Sequence, residues 1–119
     1  MLGKGKPFDI QERTFEFAVR VLEVTSRLPQ GPEGDIVRSQ LAGAGTSVGA
    51  NTEEANGAIS RKERRKYLGI ARREARESRY WLRIIRRRWQ RILNVEGDVK
   101  EATEIKYILS AMIAKLDAA

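Results

Sequence analysis

At 119 residues, with 41% apolar and a third charged, the chain has the length of one domain with a modest core, and its composition argues against overall disorder. Cysteine and histidine are both absent, which excludes a disulfide framework, a thiolate metal site and the commonest general base and metal ligand. The formal net charge of +7 and the pI near 10.1 point toward polyanionic partners, although a basic surface also serves plain solubility. Residues 1–7 lack an apolar stretch of signal-peptide length, and no run approaches the roughly 18 apolar residues of a membrane span. The expectation is a cytoplasmic protein with no membrane partner.

The first predicted helix covers about residues 9–28. Ile10, Thr14, Phe17, Val21, Val24 and Leu28 alternate at steps of four and three, which places them on one helical face, and Phe15, Ala18 and Leu22 are expected to broaden that face. Asp9 and Glu12 read as a capping pair at its start. Pro29, Gly31, Pro32 and Gly34 then break the chain.

The second helix is predicted over about 33–58, with the seam Val37, Leu41, Ala44, Val48, Asn51, Ala55 and Ala58. Gly43, Gly45, Gly49 and Gly57 fall inside it, and each costs a helix interior roughly 0.8–1 kcal/mol relative to alanine. Residues 43–49 therefore read either as a loop or as a helix held by close packing. The seam continues on both sides, and small residues let a neighbouring helix approach, which favours the helix. Asn51 is the polar member of the seam and needs hydrogen-bond partners. Glu54 lies one turn on, within reach of an arginine from the next helix. The two residues mark either a packing-register device or a small binding site.

Ser60-Arg61-Lys62-Glu63 is a capping box that opens a third helix, predicted over about 60–93. Its seam is Ala71, Ala75, Ser78, Leu82, Ile85, Trp89 and Ile92. Residues 61–91 hold fourteen Lys or Arg against three acids, so this stretch carries more than the whole net charge of the chain. Arg72, Arg76, Arg79, Arg83 and Arg86 each follow a seam residue, and Arg65 extends their line. Planar guanidinium donors in a row suit phosphate oxygens. The alternatives are a solvated face, or ion pairs with acids such as Glu12, Glu16, Glu23, Glu53 or Glu54 of a neighbouring helix or subunit. Tyr80, Trp81 and Leu82 are consecutive and cannot all face one core, so Tyr80 or Trp81 is expected to meet something outside the bundle, a subunit contact being favoured over base stacking.

Residues 94–97 end this helix, and Asp98-Val99-Lys100-Glu101 repeats the capping logic for a fourth, predicted over about 98–117 with the seam Ala102, Ile105, Leu109, Met112 and Leu116. Four helices with short connections imply one all-α domain over 1–119, an antiparallel up-down-up-down four-helix bundle. A dimetal site in such a bundle wants Glu-x-x-His pairs, and no histidine exists. Residues 43–49 lack the Gly-Lys-Ser/Thr ending of a phosphate loop. No catalytic residue, metal ligand or cofactor is assigned, and the chain is not read as an enzyme.

Gln40-Leu41, Ala44, Ser47-Val48, Ala50-Asn51 and Glu54-Ala55, followed by Ser60, Tyr67, Ile70-Ala71, Glu74-Ala75, Glu77-Ser78 and Tyr80-Trp81-Leu82, resemble the bacterial four-helix bundle family whose founding members are encoded in intervening sequences of large-subunit ribosomal RNA genes. The resemblance is dense over residues 36–85 and looser in the outer helices. It implies ring-shaped homopentamers with a central channel. A distant relative of the same shape, the accessory protein of diversity-generating retroelements, binds nucleic acid and a reverse transcriptase. The family usually has a basic residue just before the position of Ala44, where this chain has Gly43. From the residues and the resemblance together, two functions are expected. One is a non-enzymatic oligomer binding RNA or DNA backbone through the third-helix arginines. The other is a structural or protein-interaction scaffold whose arginines are engaged in ion pairs.

Overall fold

The computed structural model describes residues 9–119; the reading of residues 1–7 falls outside them. Four helices account for nearly all of the described chain: α1 Ile10–Ser26, α2 Pro32–Asn56, α3 Arg61–Arg88 and α4 Glu96–Ala118. Among the described residues there is no strand.

Each start has a local cause. Asp9 accepts a hydrogen bond from the Glu12 amide at 3.3 Å, which satisfies one of the free N–H groups of the first turn of α1. Gly31, at φ 121°, supplies the left-handed turn into α2, where Pro32 has no amide to leave unpaired. Ser60 accepts from the Glu63 amide at 3.1 Å, and the Glu63 carboxylate accepts from the Ile59 amide at 3.1 Å, closing a variant of the capping box.

The junction between α3 and α4 departs from the expected course. α3 ends at Arg88 and not near residue 93, with Arg86, Arg87 and Arg88 in its last turn, where cations oppose the carbonyl end of the helix dipole. The chain then turns, with the Leu93 amide donating to the Trp89 carbonyl, so that Leu93 and Val95 plug the end of the core. Ile92, assigned to the seam by periodicity, is left 62% exposed. α4 begins two residues earlier than expected and is not capped by Asp98. Val95 takes the N-cap position without a side-chain cap, and the side-chain oxygen of Asn94, one residue earlier, accepts from the Glu96 amide at 3.1 Å. Asp98 is buried and pairs with Arg20 of α1 at 2.8 Å.

Pairs across the bundle fix its topology. Gly45 and Gly49 of α2 lie against Val21 and Thr14 of α1, Arg88 of α3 meets Glu33 of α2, and Arg65 of α3 meets Asp117 of α4. Arg13 and Arg20 of α1 meet Glu101 and Asp98 of α4. In each pair of neighbours the residue numbers of one helix rise as those of the other fall, so consecutive helices are antiparallel and α4 closes back on α1. The core contains Phe17 and Val21 of α1, Leu41 and Val48 of α2, Leu82 and Ile85 of α3, and Ile105 and Leu109 of α4. α2 is helical straight through its glycines, as the close-packing alternative required. The seams shift slightly: Phe15 and Leu22, expected to broaden the face of α1, turn outward and are exposed, Thr52 takes the buried place expected of Asn51, and Ile113 is buried more deeply than Met112 or Leu116. Buried Thr14, Thr52 and Ser78 donate to carbonyls one turn back, which settles their hydroxyl groups.

Candidate nucleic-acid interface

α3 buries Ala71, Ala75, Ser78, Leu82 and Ile85, and its arginines emerge beside that seam in two rows. The first row is Arg65, Arg72, Arg79 and Arg86, seven residues apart, which run along α4. Arg65 binds Asp117 with Nε at 3.2 Å, Arg72 donates to the Ser110 hydroxyl at 3.4 Å, and Arg86 binds Glu96 at 3.3 Å. Each step of seven up α3 is answered by a step of seven back down α4, as antiparallel neighbours require. At the remaining rung the Arg79 Nε is buried with no hydrogen-bond partner among the described residues, and the matching position on α4 is held by Thr103 and not by an acid.

The second row points away from the bundle. Arg73, Arg76, Arg83 and Arg87 are exposed and have no ion-pair partner among the described residues. With Tyr80 between them they follow steps of three and four, a line about 21 Å long at roughly 1.5 Å rise per residue. Tyr80 is 55% exposed and meets Trp81 edge to face with ring centroids 5.1 Å apart. Trp81 itself lies half-buried against the core, and its indole nitrogen has no hydrogen-bond partner among the described residues. At the C-terminal end of the row an open groove is lined by Tyr80, Arg83, Arg87 and Gln90 together with Arg86 and its partner Glu96. At the other edge the Glu74 carboxyl is pushed above the usual range, first by burial and then by Glu77, with Arg73 opposing the shift.

The six candidate arginines are thus divided. Arg76 and Arg83 face outward; Arg65, Arg72 and Arg86 are engaged by α4, and Arg79 lies along the same row. The acids that engage α3 are Asp117, Glu96 and Glu33, none of which the sequence singled out. Asn51 is half-buried and donates to the Ser47 carbonyl at 2.9 Å, while Glu54 is exposed on α2 without an ion pair to α3. These two do not form a joint site with an arginine. Arg73 and Arg87 were missed, although a step of three back from Arg76 and four on from Arg83 would have reached both. No group of acids among the described residues could hold a metal ion, and no described helix is long and apolar enough to cross a membrane.

Residues 6–115 match the family model described as 23S rRNA-intervening sequence protein. A crystal structure of a protein with unknown function from the S23 ribosomal protein family, from Bacteroides thetaiotaomicron VPI-5482, is similar over 87% of this chain and 97% of its own, at 33% identity and a TM-score of 0.78. No curated protein matches the sequence.

Proposed function

Because the chain belongs to the 23S rRNA-intervening sequence protein family, we propose that it is a non-enzymatic oligomeric bundle that binds the backbone of RNA or DNA through the outward arginines of α3. The observation that carries this reading is the second row: Arg73, Arg76, Arg83 and Arg87 lie exposed along one line with no acid bound to them. A phosphodiester chain is the common ligand that answers several guanidinium groups in a line, and exposed Tyr80 among them offers a face for a base. Contacts of this kind position a backbone and carry little sequence information. The resemblance to ring-forming relatives supports a homopentamer as the working form.

A second reading has its own support. Arg65, Arg72 and Arg86 bind α4 from within, so part of the charge on α3 serves as a clamp between helices, as in a scaffold protein. Charge reversal separates the two. Arg76→Glu with Arg83→Glu is expected to abolish binding to generic duplex RNA and DNA in low salt while leaving helicity and oligomeric state unchanged. Undiminished binding by that variant, or no binding by the wild type, overturns the nucleic-acid reading and leaves the scaffold.

A further inference from the structure

The ion pairs between α1 and α4 sort the charges of both helices. α1 has two arginines, Arg13 and Arg20, and both are bound to α4. All five acids of α4 are bound as well: Glu96 to Arg86, Asp98 to Arg20, Glu101 and Glu104 to Arg13, and Asp117 to Arg65. What remains on α1 is acidic, with Glu12, Glu16 and Glu23 in no ion pair among the described residues. What remains on α4 is basic, with Lys100, Lys106 and Lys115. Each helix also carries an exposed apolar stripe at its outer ridge. On α1 it is Phe15, Val19 and Leu22, at 60%, 41% and 48% exposure. On α4 it is Tyr107, at 63%, with exposed Ala111 and Ala114. Both stripes step by four and then three. Three large apolar side chains in one line on a small bundle mark a contact surface.

We propose that the outer ridge of α1 in one copy docks on the outer ridge of α4 in the next copy. This deepens the oligomer part of the functional reading and rests on it. Charge sign is the first argument, since the acidic ridge would repel its own copy and attracts the basic one. Shape is the second: with the ridges antiparallel, Leu22 opposite Tyr107 brings Val19 beside Ala111 and Phe15 against Ala114, a large side chain meeting a small one. That register also sets Glu16 within a turn of Lys115. Topology is the third argument. α1 and α4 are neighbours in the bundle, so their ridges point roughly a quarter-turn apart. A heterologous contact between them rotates each copy relative to the last and closes into a small ring, with α1 antiparallel to the next α4 when the ring axis follows the bundle. A contact between the diagonal helices α1 and α3 would instead propagate as an open filament, and it would cover the outward arginines. The α1–α4 contact leaves that row uncovered.

Sedimentation velocity on the full chain tests this. Wild type is expected to sediment as a closed oligomer, and Phe15→Glu with Leu22→Glu as a monomer of unchanged helicity. Glu16→Lys and Lys115→Glu are each expected to weaken assembly, and the two together to restore it. Phe15→Glu/Leu22→Glu assembling like wild type, or a double charge swap no better than either single change, overturns the α1–α4 interface while oligomerisation itself stands. A wild type that is monomeric at all concentrations overturns both.

Discussion

Gly43 and Gly45 lie two residues apart on α2 and play opposite parts. A Cβ at Gly45 would sit 2.6 Å from a methyl of buried Val21, a stiff side chain in the core, whereas one at Gly43 would meet nothing within 4 Å. Gly45→Ala is therefore expected to destabilise the fold by about 1–3 kcal/mol through overpacking. Gly43→Ala is expected to stabilise it by about 1 kcal/mol through helix propensity. Urea denaturation of the two variants checks both signs. The sequence showed glycines in a helical pattern but not which ones touch α1, because propensity is blind to the neighbour. Asp98 was misread for a related reason: its position suits a cap, yet Arg20 on the facing helix claims it. Burial pushes the Asp98 carboxyl above its ordinary range, Arg20 opposes the shift, and nearby Glu23 adds to it. The folded protein then binds more protons than the unfolded chain between the ordinary aspartate range and the raised value. This contribution to stability is present below that window and is lost as pH rises through it. Asp98→Asn is expected to flatten the fall in stability across this range, measured by denaturation at a series of acidic pH values. An unchanged pH profile would contradict the assignment.

At the scale of the helices, termini depend on long-range partners more than on local signals. α1 has no basic residue in its last turn, and carbonyls at its end and in the turn after it are met from α2. Arg38 donates to the carbonyls of Thr25 at 3.3 Å, Leu28 at 2.9 Å and Pro29 at 3.1 Å, while Asp35 holds its other terminal nitrogen at 2.6 Å. Replacing this side chain strands the Leu28 and Pro29 carbonyls, whereas Thr25 keeps the amide of Leu28. Arg38→Met is expected to cost about 1–3 kcal/mol and to increase amide exchange at the end of α1 before other segments. Equal exchange in the two proteins would count against a capping role. The four seams were legible because a heptad-like rhythm survives in each helix. The end of α3 was not, since Ile92 continues that rhythm on paper while the turn after Trp89 buries Leu93 and Val95 in its place.

At the scale of the molecule, the charge of α3 divides into an inner row that binds helices and an outer row that faces solvent. The sequence located the arginines but could not divide them, because the division is made by Asp117, Ser110 and Glu96 on a helix whose register follows only from packing. Once α4 is in place, the surface open to a polyanion contracts from the whole helix to Arg73, Arg76, Arg83 and Arg87 around Tyr80. The most direct measurement is the salt dependence of binding to a generic duplex. Four backbone contacts in one copy predict a slope of log K against log salt of about −3.6, and Arg76→Gln with Arg83→Gln should make it shallower by about 1.8. A flat salt dependence, or a slope unmoved by that double substitution, would contradict the account.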